Sequence, residues 1–501
     1  MLNFCATDEG RSTIARLTDD ALLEIFYFYQ DFYRIGLTSY DPSYRGPVMP
    51  LREWRRLMHV CRRWRQIIFE SPCRLNLQIL CTRGIRFKKS LGIWPDFPIA
   101  IKFPGHSRIT SAIEEDDVIA ALEHSDRVCH IELQITGSQL EKMSTVLHKP
   151  FPVLTYLDIG SRDVTHRGAS VLPGGFLGGS VPRLQKFTLT LISFPALPTF
   201  LSSAKNLVNL NFYNVPPTGF ISSAALVACL AELPRLDTLC LGFESNSGQI
   251  HPLPIIRTVL STLTHFYCPG ASEYMEDLVA QIDCPKLARV AVSYFGPTSN
   301  FQVAQLFKFI NRSVGPEVSP FRPTIVRLYN GGSVMIDMYR RPNHPKGEDW
   351  DPATISIYYR DTYLQVSRIA PALNRFSQGF TAILSTVTYL SIVDEERPLE
   401  GTNDVEWLHL LHTFSAVQTL HVSPDLAGHV ALALEGIPAE RVAEVLPSLR
   451  IIYLECHPTS SLEKFVAARG LSGRPVIVVV DKTEFDKILA NFVLELKGVT
   501  K

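Results

Sequence analysis

The chain has 501 residues, of which 46% are hydrophobic and 20% are charged. This composition excludes a mostly disordered protein, and the length predicts more than one domain or an array of repeats. Lysine plus arginine and aspartate plus glutamate both total 49, so the overall charge gives no sign of a polyanionic partner.

No targeting or membrane segment is predicted. The first residues, MLNFCATDEGRS, lack the basic start and apolar core of a secretory signal. No apolar run approaches the ~18 residues that cross a bilayer. We therefore expect a soluble protein of the cytoplasm, the nucleus or both, without a membrane partner. The ten cysteines include no CxxC pair, which favours free, buried thiols.

The first predicted element is a helix over LTDDALLEIFYFY, Leu17–Tyr29. Thr18 suits the N-cap, and Asp19 and Asp20 in the first turn favour the helix dipole. An apolar stripe follows at Leu22, Ile25, Phe26 and Tyr29. The neighbouring residues are also apolar, and a small helical unit cannot bury so much apolar surface alone. The surplus therefore indicates a partner-binding site.

A second helical segment lies in WRRLMHVCRRWRQIIFESP, Trp54–Pro72. Apolar residues recur on one side of it at steps of three and four: Trp54, Leu57, Cys61, Trp64 and Ile68. Pro50 precedes the segment and Pro72 limits its end. The pattern predicts one amphipathic helix, or two short helices that share a register.

The same region is strongly basic. From Arg52 to Lys89 there are eleven lysines and arginines against two acids, Glu53 and Glu70, a net charge of +9. Two interpretations of this charge are open. One is a surface that contacts nucleic-acid phosphates, and the other is the solvated face of a packed helix.

Taken together, these segments resemble an F-box over residues 14–75. The stretch Val60–Arg65 resembles the family's Val-Cys-basic-basic-Trp block, and LTDDALLEIF resembles its first helix. Two features depart from the family pattern. Thr18 stands where the family has proline, and the segment Gln30–Pro50 is longer than the usual connection, which predicts an inserted loop at about 30–50. The layout, with CTRGIRFKKSLGIWPDFPI after the box, is similar to fungal F-box proteins.

The resemblance implies a protein partner. An F-box docks on an adaptor of the Skp type, which links it to the cullin and RING subunits of a ubiquitin ligase. The residues expected to contact the adaptor are Leu17, Leu22, Leu23, Ile25, Phe26, Val60, Cys61, Trp64 and Ile67. The arginines would then lie on the solvent face, which makes nucleic-acid binding the weaker alternative.

Ten copies of a short phrase follow. Five read Pro-x-Leu-x-x-apolar-x-apolar and begin at Pro152, Pro182, Pro234, Pro285 and Pro447. Copies without the proline begin at Arg127, Asn206, Thr262, Thr386 and Ala416. From Leu154 to Leu287 the lead leucines are 30, 23, 29, 27 and 24 residues apart, a mean of about 27 that lies in or near the range of leucine-rich repeats.

Each phrase predicts a short strand, because its apolar residues alternate. The segments between the phrases predict helices, at Ser222–Leu233, Ser272–Ile282 and Val303–Ser313. A strand and a helix per repeat stack into a solenoid with a parallel sheet on one side.

The predicted organisation has an N-terminal tail (1–12), an F-box (13–80), a linker region (81–126) and a leucine-rich-repeat-like solenoid (127–501). Regularity fails at about 314–385, where SVMIDMYR and TISIYYR predict a strand pair, as in a long hairpin off the solenoid. The C-terminal RPVIVVVDKTEFDKILANFVLEL predicts a last strand and a capping helix. The fold class is α+β overall: a small three-helix F-box followed by an α/β solenoid.

The open face of the predicted sheet is the expected site for a protein client. Its residues alternate with the buried strand positions. The expected client-binding residues are Tyr156, Asp158, Lys186, Asn209, Asn211, Tyr213, Tyr267, Arg289, His421 and Tyr453. The alternative is that these side chains only solvate the sheet.

No motif for catalysis was found. The sequence lacks the P-loop, dinucleotide-binding, HExxH, GxSxG and EF-hand patterns. The acidic run Glu114–Asp117 is typical of the first turn of a helix. We therefore expect no enzyme activity, no cofactor and no metal site.

The leading hypothesis is a substrate-recognition subunit of an SCF-type (Skp–cullin–F-box) E3 ubiquitin ligase. The box would bind the adaptor, and the solenoid would hold a protein client for ubiquitination. One alternative is a protein-interaction solenoid without a ligase role, which the departure at Thr18 keeps open. The other is a nucleic-acid binder that uses residues 52–89.

Overall fold

The computed structural model describes residues 16–35, 51–72, 74–104, 109–162, 170–243, 257–270, 272–295, 304–314, 324–329, 333–338, 355–360, 387–394, 407–408, 411–412, 414–438, 440–455, 460–480 and 483. The predicted tail, residues 36–50 of the predicted loop and the predicted C-terminal helix lie outside these ranges. The chain divides into two compact units, residues 1–205 and residues 206–501. No helix in the described ranges is long and apolar enough to cross a membrane.

The first unit begins with three helices: α1 (Asp19–Ile35), α2 (Leu51–Met58) and α3 (Arg62–Glu70). We refer to them as the three-helix group. The backbone N–H of Ala21 donates to the Thr18 hydroxyl at 3.2 Å, so Thr18 caps α1 as predicted. The basic segment forms two helices instead of one, and the break falls at the turn that contains Val60.

The three-helix group has its own apolar core. Phe26 and Trp54 are both 0% exposed, and the Phe26 ring meets the Trp64 ring edge to face, with centroids 5.0 Å apart. On the surface, the Arg63 guanidinium donates to Asp19 at 2.6 and 2.9 Å and to the Leu17 carbonyl at 2.6 Å. These bonds join the start of α3 to the start of α1.

A parallel sheet follows in the first unit, with the strand order β1-β2-β3-β4-β6. Its strands are β1 (Ile79–Thr82), β2 (Ile99–Phe103), β3 (Val128–Ile135), β4 (Tyr156–Ser161) and β6 (Lys186–Thr190). The two-residue strands β5 (Ser170–Val171) and β7 (Ile192–Ser193) form a separate parallel pair. The helices of this part are α4 (Phe87–Leu91), α5 (Ala112–Glu123), α6 (Gly137–Met143) and α7 (Leu197–Ser203), with short 3-10 turns at Val146–His148 and Phe176–Gly179.

The sheet of the second unit has the strand order β8-β9-β11-β13-β16-β15-β14-β17-β18-β19-β20. Its strands are β8 (Asn209–Val215), β9 (Thr238–Phe243), β11 (His265–Gly270), β13 (Arg289–Phe295), β14 (Thr324–Tyr329), β15 (Ser333–Met338), β16 (Ile355–Arg360), β17 (Tyr389–Asp394), β18 (Thr419–Val422), β19 (Ile451–Leu454) and β20 (Ile477–Val479). A separate parallel pair joins β10 (Thr258–Val259) to β12 (Ile282–Asp283). Helices lie at α8 (Ser223–Ala231), α9 (Ser272–Gln281), α10 (Ala304–Val314), Pro424–Glu435 and Ser460–Leu471, with a 3-10 turn at Pro217–Gly219.

The repeat prediction is confirmed. Each of the ten phrases contains a strand, and the predicted helices are present as α8, α9 and α10. The lead leucines fill the core because each is at most 4% exposed: Leu154, Leu184, Leu207, Leu236, Leu263 and Leu287. Apart from the three-helix group, the described part of each unit is therefore an α/β repeat-like arrangement, with strands running mostly in parallel.

Two parts of the architecture differ from the prediction. Strand β2 and the second half of β1 lie in the range predicted to be a linker, and both are strands of the sheet, because β1 pairs in parallel with β2 and β2 with β3. The irregular segment does contain the predicted antiparallel pair, β15 with β16. It is not a hairpin off the sheet, however, because β16 pairs with β13 and β14 pairs with β17. Strand β14 was not predicted.

Neighbouring helices of the second unit are joined by polar side chains. The buried carboxylate of Glu276 on α9 accepts from the backbone N–H groups of Gln305 and Leu306, at 2.6 and 2.9 Å. A second bond runs from α10 back to the preceding repeat, where Arg312 donates to Asp283 on β12 at 2.8 Å. Glu276 therefore caps the helix of the next repeat, because the first-turn N–H groups of a helix have no partner within it.

Replacing Glu276 with alanine is expected to lower the free energy of unfolding by about 1–3 kcal/mol, because two buried N–H groups lose their acceptor. Urea unfolding of the full chain, followed by circular dichroism, measures the change. Glu276→Gln keeps one acceptor oxygen and is expected to lose less. Equal stability of Glu276→Ala and the native chain would show that water replaces the carboxylate.

Candidate functional site

The open face of the first unit's sheet carries a group of charged and aromatic side chains. We name it the polar cluster, and its members are Lys102, His130, Glu132, Tyr156, Asp158 and Lys186. They share one face because they alternate along their strands with residues that are 0% exposed, namely Ile101, Ile131, Leu157 and Phe187.

Strand register arranges the polar cluster in two rows. Lys102 on β2 is the register partner of Glu132 on β3, and Glu132 is the partner of Asp158 on β4. In the second row, His130, Tyr156 and Lys186 are register partners on β3, β4 and β6. Register partners on neighbouring parallel strands are about 4.8 Å apart, so the side chains of one row lie next to each other.

Ring stacking orders the second row. The His130 and Tyr156 rings are stacked, with centroids 4.0 Å apart and planes 8° from parallel. The Lys186 ammonium lies 5.1 Å from the centroid of the Tyr156 ring, within the range of a cation–π contact. In the other direction, His130 Nε2 lies 3.7 Å from Glu132 Oε2, which is too long for a hydrogen bond.

Burial shifts the titration of this face. It lowers the pKa of His130 to about 4, so the imidazole is neutral at pH 7. Burial, together with repulsion from Glu132, raises the pKa of Asp158 to about 6, against the attraction of Lys186. Burial also acts to raise the pKa of Glu132, but His130 and the two lysines outweigh it and hold this pKa below its ordinary value. The pKa of Lys102 is lowered by burial, and Glu132 opposes the shift.

The sheet of the second unit has a corresponding face around Tyr267. His265 is the register partner of Arg289, and the Arg289 guanidinium carbon lies 5.8 Å from the centroid of the Tyr267 ring. Burial raises the pKa of Tyr267, and Arg289 opposes the shift. Asn209 and Asn211 stand on β8 of the same sheet, paired with Thr238 and Cys240.

A third group lies near the C-terminal strands. His421 Nδ1 is 2.8 Å from the Ser391 hydroxyl, and His421 Nε2 is 3.3 Å from a Glu455 carboxylate oxygen. The His421 ring packs against the Tyr453 ring with centroids 4.9 Å apart. Tyr453 itself is only 4% exposed and belongs to a small cluster with Ile451 and Val479.

The predicted client-binding residues therefore differ in accessibility. Tyr156, Asp158 and Lys186 are brought together in the polar cluster, whereas Tyr453 is buried and Asn211 is 8% exposed. Tyr213 is exposed. The prediction left out Lys102, His130 and Glu132. The signal for His130 and Glu132 was present, because polar residues alternate with apolar ones in VCHIELQI, whereas Lys102 lay in the predicted linker.

The predicted adaptor-binding residues divide into a buried and an exposed set. The side chains of Leu22, Leu23, Phe26 and Ile67 are at most 7% exposed, so the folded three-helix group does not offer them to a partner. By contrast, Ile25 is 46% exposed and Val60 is 58% exposed. Phe28, which was not among the predicted residues, is 69% exposed and lies three residues after Ile25 on α1.

The remaining adaptor candidates have local structural roles. Cys61 was expected to be a buried thiol but is exposed, and its Sγ caps α3 by accepting from the Trp64 N–H at 3.5 Å. As the N-cap residue of α3 it has an extended backbone, with φ −159° and ψ 171°. Trp64 is half-buried against Phe26. Leu17 is half-buried, and its carbonyl accepts from Arg63.

Several arginines of the basic segment form ion pairs or ring contacts with other residues of the first unit. Arg63 pairs with Asp19, and Arg74 pairs with Asp20 and Glu24. Arg55 lies over the Trp94 ring, 5.6 Å from its centroid. These contacts use guanidinium groups that a phosphate-binding surface would leave free. In the described ranges, no group of three or more His, Cys, Asp or Glu side chains could hold a metal ion.

Comparisons with known proteins give little further information. No family model matches the chain, and no curated protein matches it. Among solved structures, it is similar to the leucine-rich repeat-containing protein LegL7 from Legionella pneumophila, with 12% sequence identity and a TM-score of 0.25. The match covers 80% of this chain and 99% of that one. Similarity at this level carries no argument, so the repeat architecture rests on the strand register and the buried leucines.

Proposed function

We propose that this chain is a non-catalytic substrate-recognition subunit of an SCF-type ubiquitin ligase. The three-helix group would dock on a Skp-type adaptor, which brings the cullin and RING subunits. The open faces of the sheets would hold a protein client. The observation that carries the proposal is the exposure of Ile25, Phe28 and Val60 on a helical group whose sequence resembles an F-box.

The exposed apolar side chains favour a protein partner. A group of three short helices already buries Leu22, Phe26 and Trp54, so its core does not require Ile25 or Val60 to be apolar. Apolar residues that a small unit leaves in water are typical of an interaction surface. The proposed mechanism is proximity: the chain raises the local concentration of a client near the catalytic subunits.

The departure at Thr18 does not remove the start of α1. The threonine hydroxyl accepts from the Ala21 N–H, so Thr18, at the position where F-boxes have proline, caps the start of the helix. An interaction protein without a ligase role remains the second candidate function. Binding of the adaptor decides between the two.

Replacing Ile25 and Val60 with aspartate is expected to abolish adaptor binding without unfolding the three-helix group, because both side chains are exposed. The measurement is affinity purification of the tagged chain from its own cells, followed by mass spectrometry. Adaptor and cullin should be recovered with the native chain and lost from the Ile25→Asp/Val60→Asp variant. Circular dichroism and the melting temperature should stay unchanged.

A matched control is Ile113→Asp, because Ile113 is 49% exposed on α5, outside the three-helix group. This variant should keep the adaptor. If the native chain recovers neither adaptor nor cullin, the ligase proposal is wrong and the second candidate stands. If the double variant keeps both subunits, the docking surface lies elsewhere.

A further inference from the structure

Two carboxylates stand side by side at the centre of the polar cluster. Glu132 and Asp158 are register partners on neighbouring parallel strands and project from the same face. Both are partly withdrawn from water, and the two negative charges repel each other at this spacing. Such a pair is stable only when cations or hydrogen-bond donors compensate for the charge.

The cations of the polar cluster do not stabilise the charges of Glu132 and Asp158 equally. Lys102 is the register partner of Glu132, and the charges of Lys102 and Lys186 act to lower the pKa of Glu132. The Lys186 ammonium lies over the Tyr156 ring. Asp158 Oδ1 is buried and accepts no hydrogen bond from any described residue. Asp158 therefore has a buried carboxylate oxygen without a hydrogen-bond donor in the described part of the chain.

We infer that the polar cluster binds a lysine or arginine side chain of a protein client, with Asp158 as the carboxylate that receives the cation. This inference rests on the proposed client-binding role of the sheet face. An ammonium or guanidinium group supplies N–H donors for Asp158 and adds its positive charge to that of Lys186. The stacked rings of His130 and Tyr156 lie in the next row, where the methylene stem of the ligand can pack.

Phosphate-bearing ligands do not fit this site as well. The centre of the first row is a pair of carboxylates, which repel an anion. Lys102 is partly buried beside Glu132, and Lys186 is held at the Tyr156 ring. A neutral amide donor would satisfy the hydrogen bond of Asp158 but not its charge. The chemistry therefore favours a basic side chain over a nucleic acid or a neutral peptide.

Binding of this kind should weaken in mild acid. The pKa of Asp158 is about 6, so its carboxylate is charged at pH 7.5 and largely protonated at pH 5.0. The titratable groups that face it are Lys102, His130, Glu132, Tyr156 and Lys186, and its register partner on β6 is the buried Thr188. No neighbour adds negative charge between pH 7.5 and pH 5.0 to offset this loss. His130 has a pKa of about 4, and the pKa of Glu132 is below its ordinary value. The loss of one negative charge removes the attraction for a cation.

The test is a selection from a random peptide library on the full-length chain at pH 7.5. Selected peptides are synthesised, and their dissociation constants are measured by fluorescence polarisation. We expect them to share a lysine or arginine whose replacement by acetyllysine or citrulline weakens binding about tenfold or more. Asp158→Asn should weaken binding by a similar factor and should remove the difference between pH 7.5 and pH 5.0.

A matched control is Glu141→Gln, which removes a carboxylate from an exposed position of the same unit. It should leave peptide binding unchanged. Selection of peptides without a basic residue, selection of none, or equal binding by Asp158→Asn and the native chain would overturn the inference. Adaptor recovery is measured separately for Asp158→Asn and should be unaffected. A chain that binds basic peptides but no adaptor contradicts only the ligase role, and the opposite result contradicts only this site.

Discussion

Replacing Phe26 with alanine is expected to lower the free energy of unfolding of the three-helix group by about 3–5 kcal/mol, because a fully buried phenylalanine leaves a large cavity. Phe26 is 0% exposed and its ring packs edge to face on Trp64. The helices of the group have only 17, 8 and 9 residues, and helices this short depend on packing for their stability. Loss of that packing should unfold the group locally.

Limited proteolysis measures this effect, with cleavage sites mapped by mass spectrometry. The Phe26→Ala chain should be cut within residues 19–70 much faster than the native chain. Phe28→Ala is the matched control, because it makes the same chemical change two residues later at a side chain that is 69% exposed. Equal protection of the Phe26→Ala and Phe28→Ala chains would show that Phe26 does not support the group.

This expectation changes how adaptor binding should be tested. A variant with Leu22 or Phe26 replaced would lose its partner through unfolding, even if neither side chain ever touched the adaptor. The exposed residues Ile25 and Val60 separate the two effects. The distinction comes from the packing of α1 on α3.

Replacing Arg469 with leucine is expected to lower the free energy of unfolding by about 3 kcal/mol, because three buried carbonyl groups lose their donor. Arg469 is 0% exposed on the helix Ser460–Leu471. Its guanidinium donates to the carbonyls of Val442, Leu446 and Leu449, at 3.5, 3.4 and 3.1 Å. Leu446 has a positive φ of 46°, a conformation that a leucine holds only when its surroundings fix it.

Urea unfolding gives the stability change, and hydrogen exchange of residues 440–455 locates it. Arg441→Leu is the control, because Arg441 is exposed and its side chain pairs with nearby Glu444. That variant should stay within about 0.5 kcal/mol of the native chain. Native-like exchange in Arg469→Leu would mean that the three carbonyls do not depend on the guanidinium.

The repeat pattern was the most predictable part of the fold. A leucine at a fixed place before an alternating apolar stretch identifies a strand from local residues alone, as at Leu154 and Leu236. Strands β1 and β2 were missed because their sequences, ILCT and IAIKF, lack that leading phrase. The strands that pair with β14, β15 and β16 could not be predicted either, because the sequence of an apolar strand does not specify its pairing partner.

The sites were less predictable, for two physical reasons. An apolar stripe on α1 is the same signal whether it packs against α3 or against another protein, so Leu22 and Ile25 could not be told apart by periodicity. The polar cluster depends on register: Glu132 and Asp158 are 26 residues apart in the chain and become neighbours only through the pairing of β3 with β4. Individual residues of that face were predictable, but their partners were not.

The hydrogen bonds between neighbouring repeats also have a consequence for the evolution of a repeat protein. Glu276 and Arg312 reach only from one repeat to the next, and repeat proteins in general are stabilised by contacts between nearest neighbours. Duplication or loss of one whole strand–helix segment therefore creates one new junction and leaves the remaining ones intact. The number of repeats, and with it the length of the open sheet face, can change without loss of the contacts elsewhere in the array.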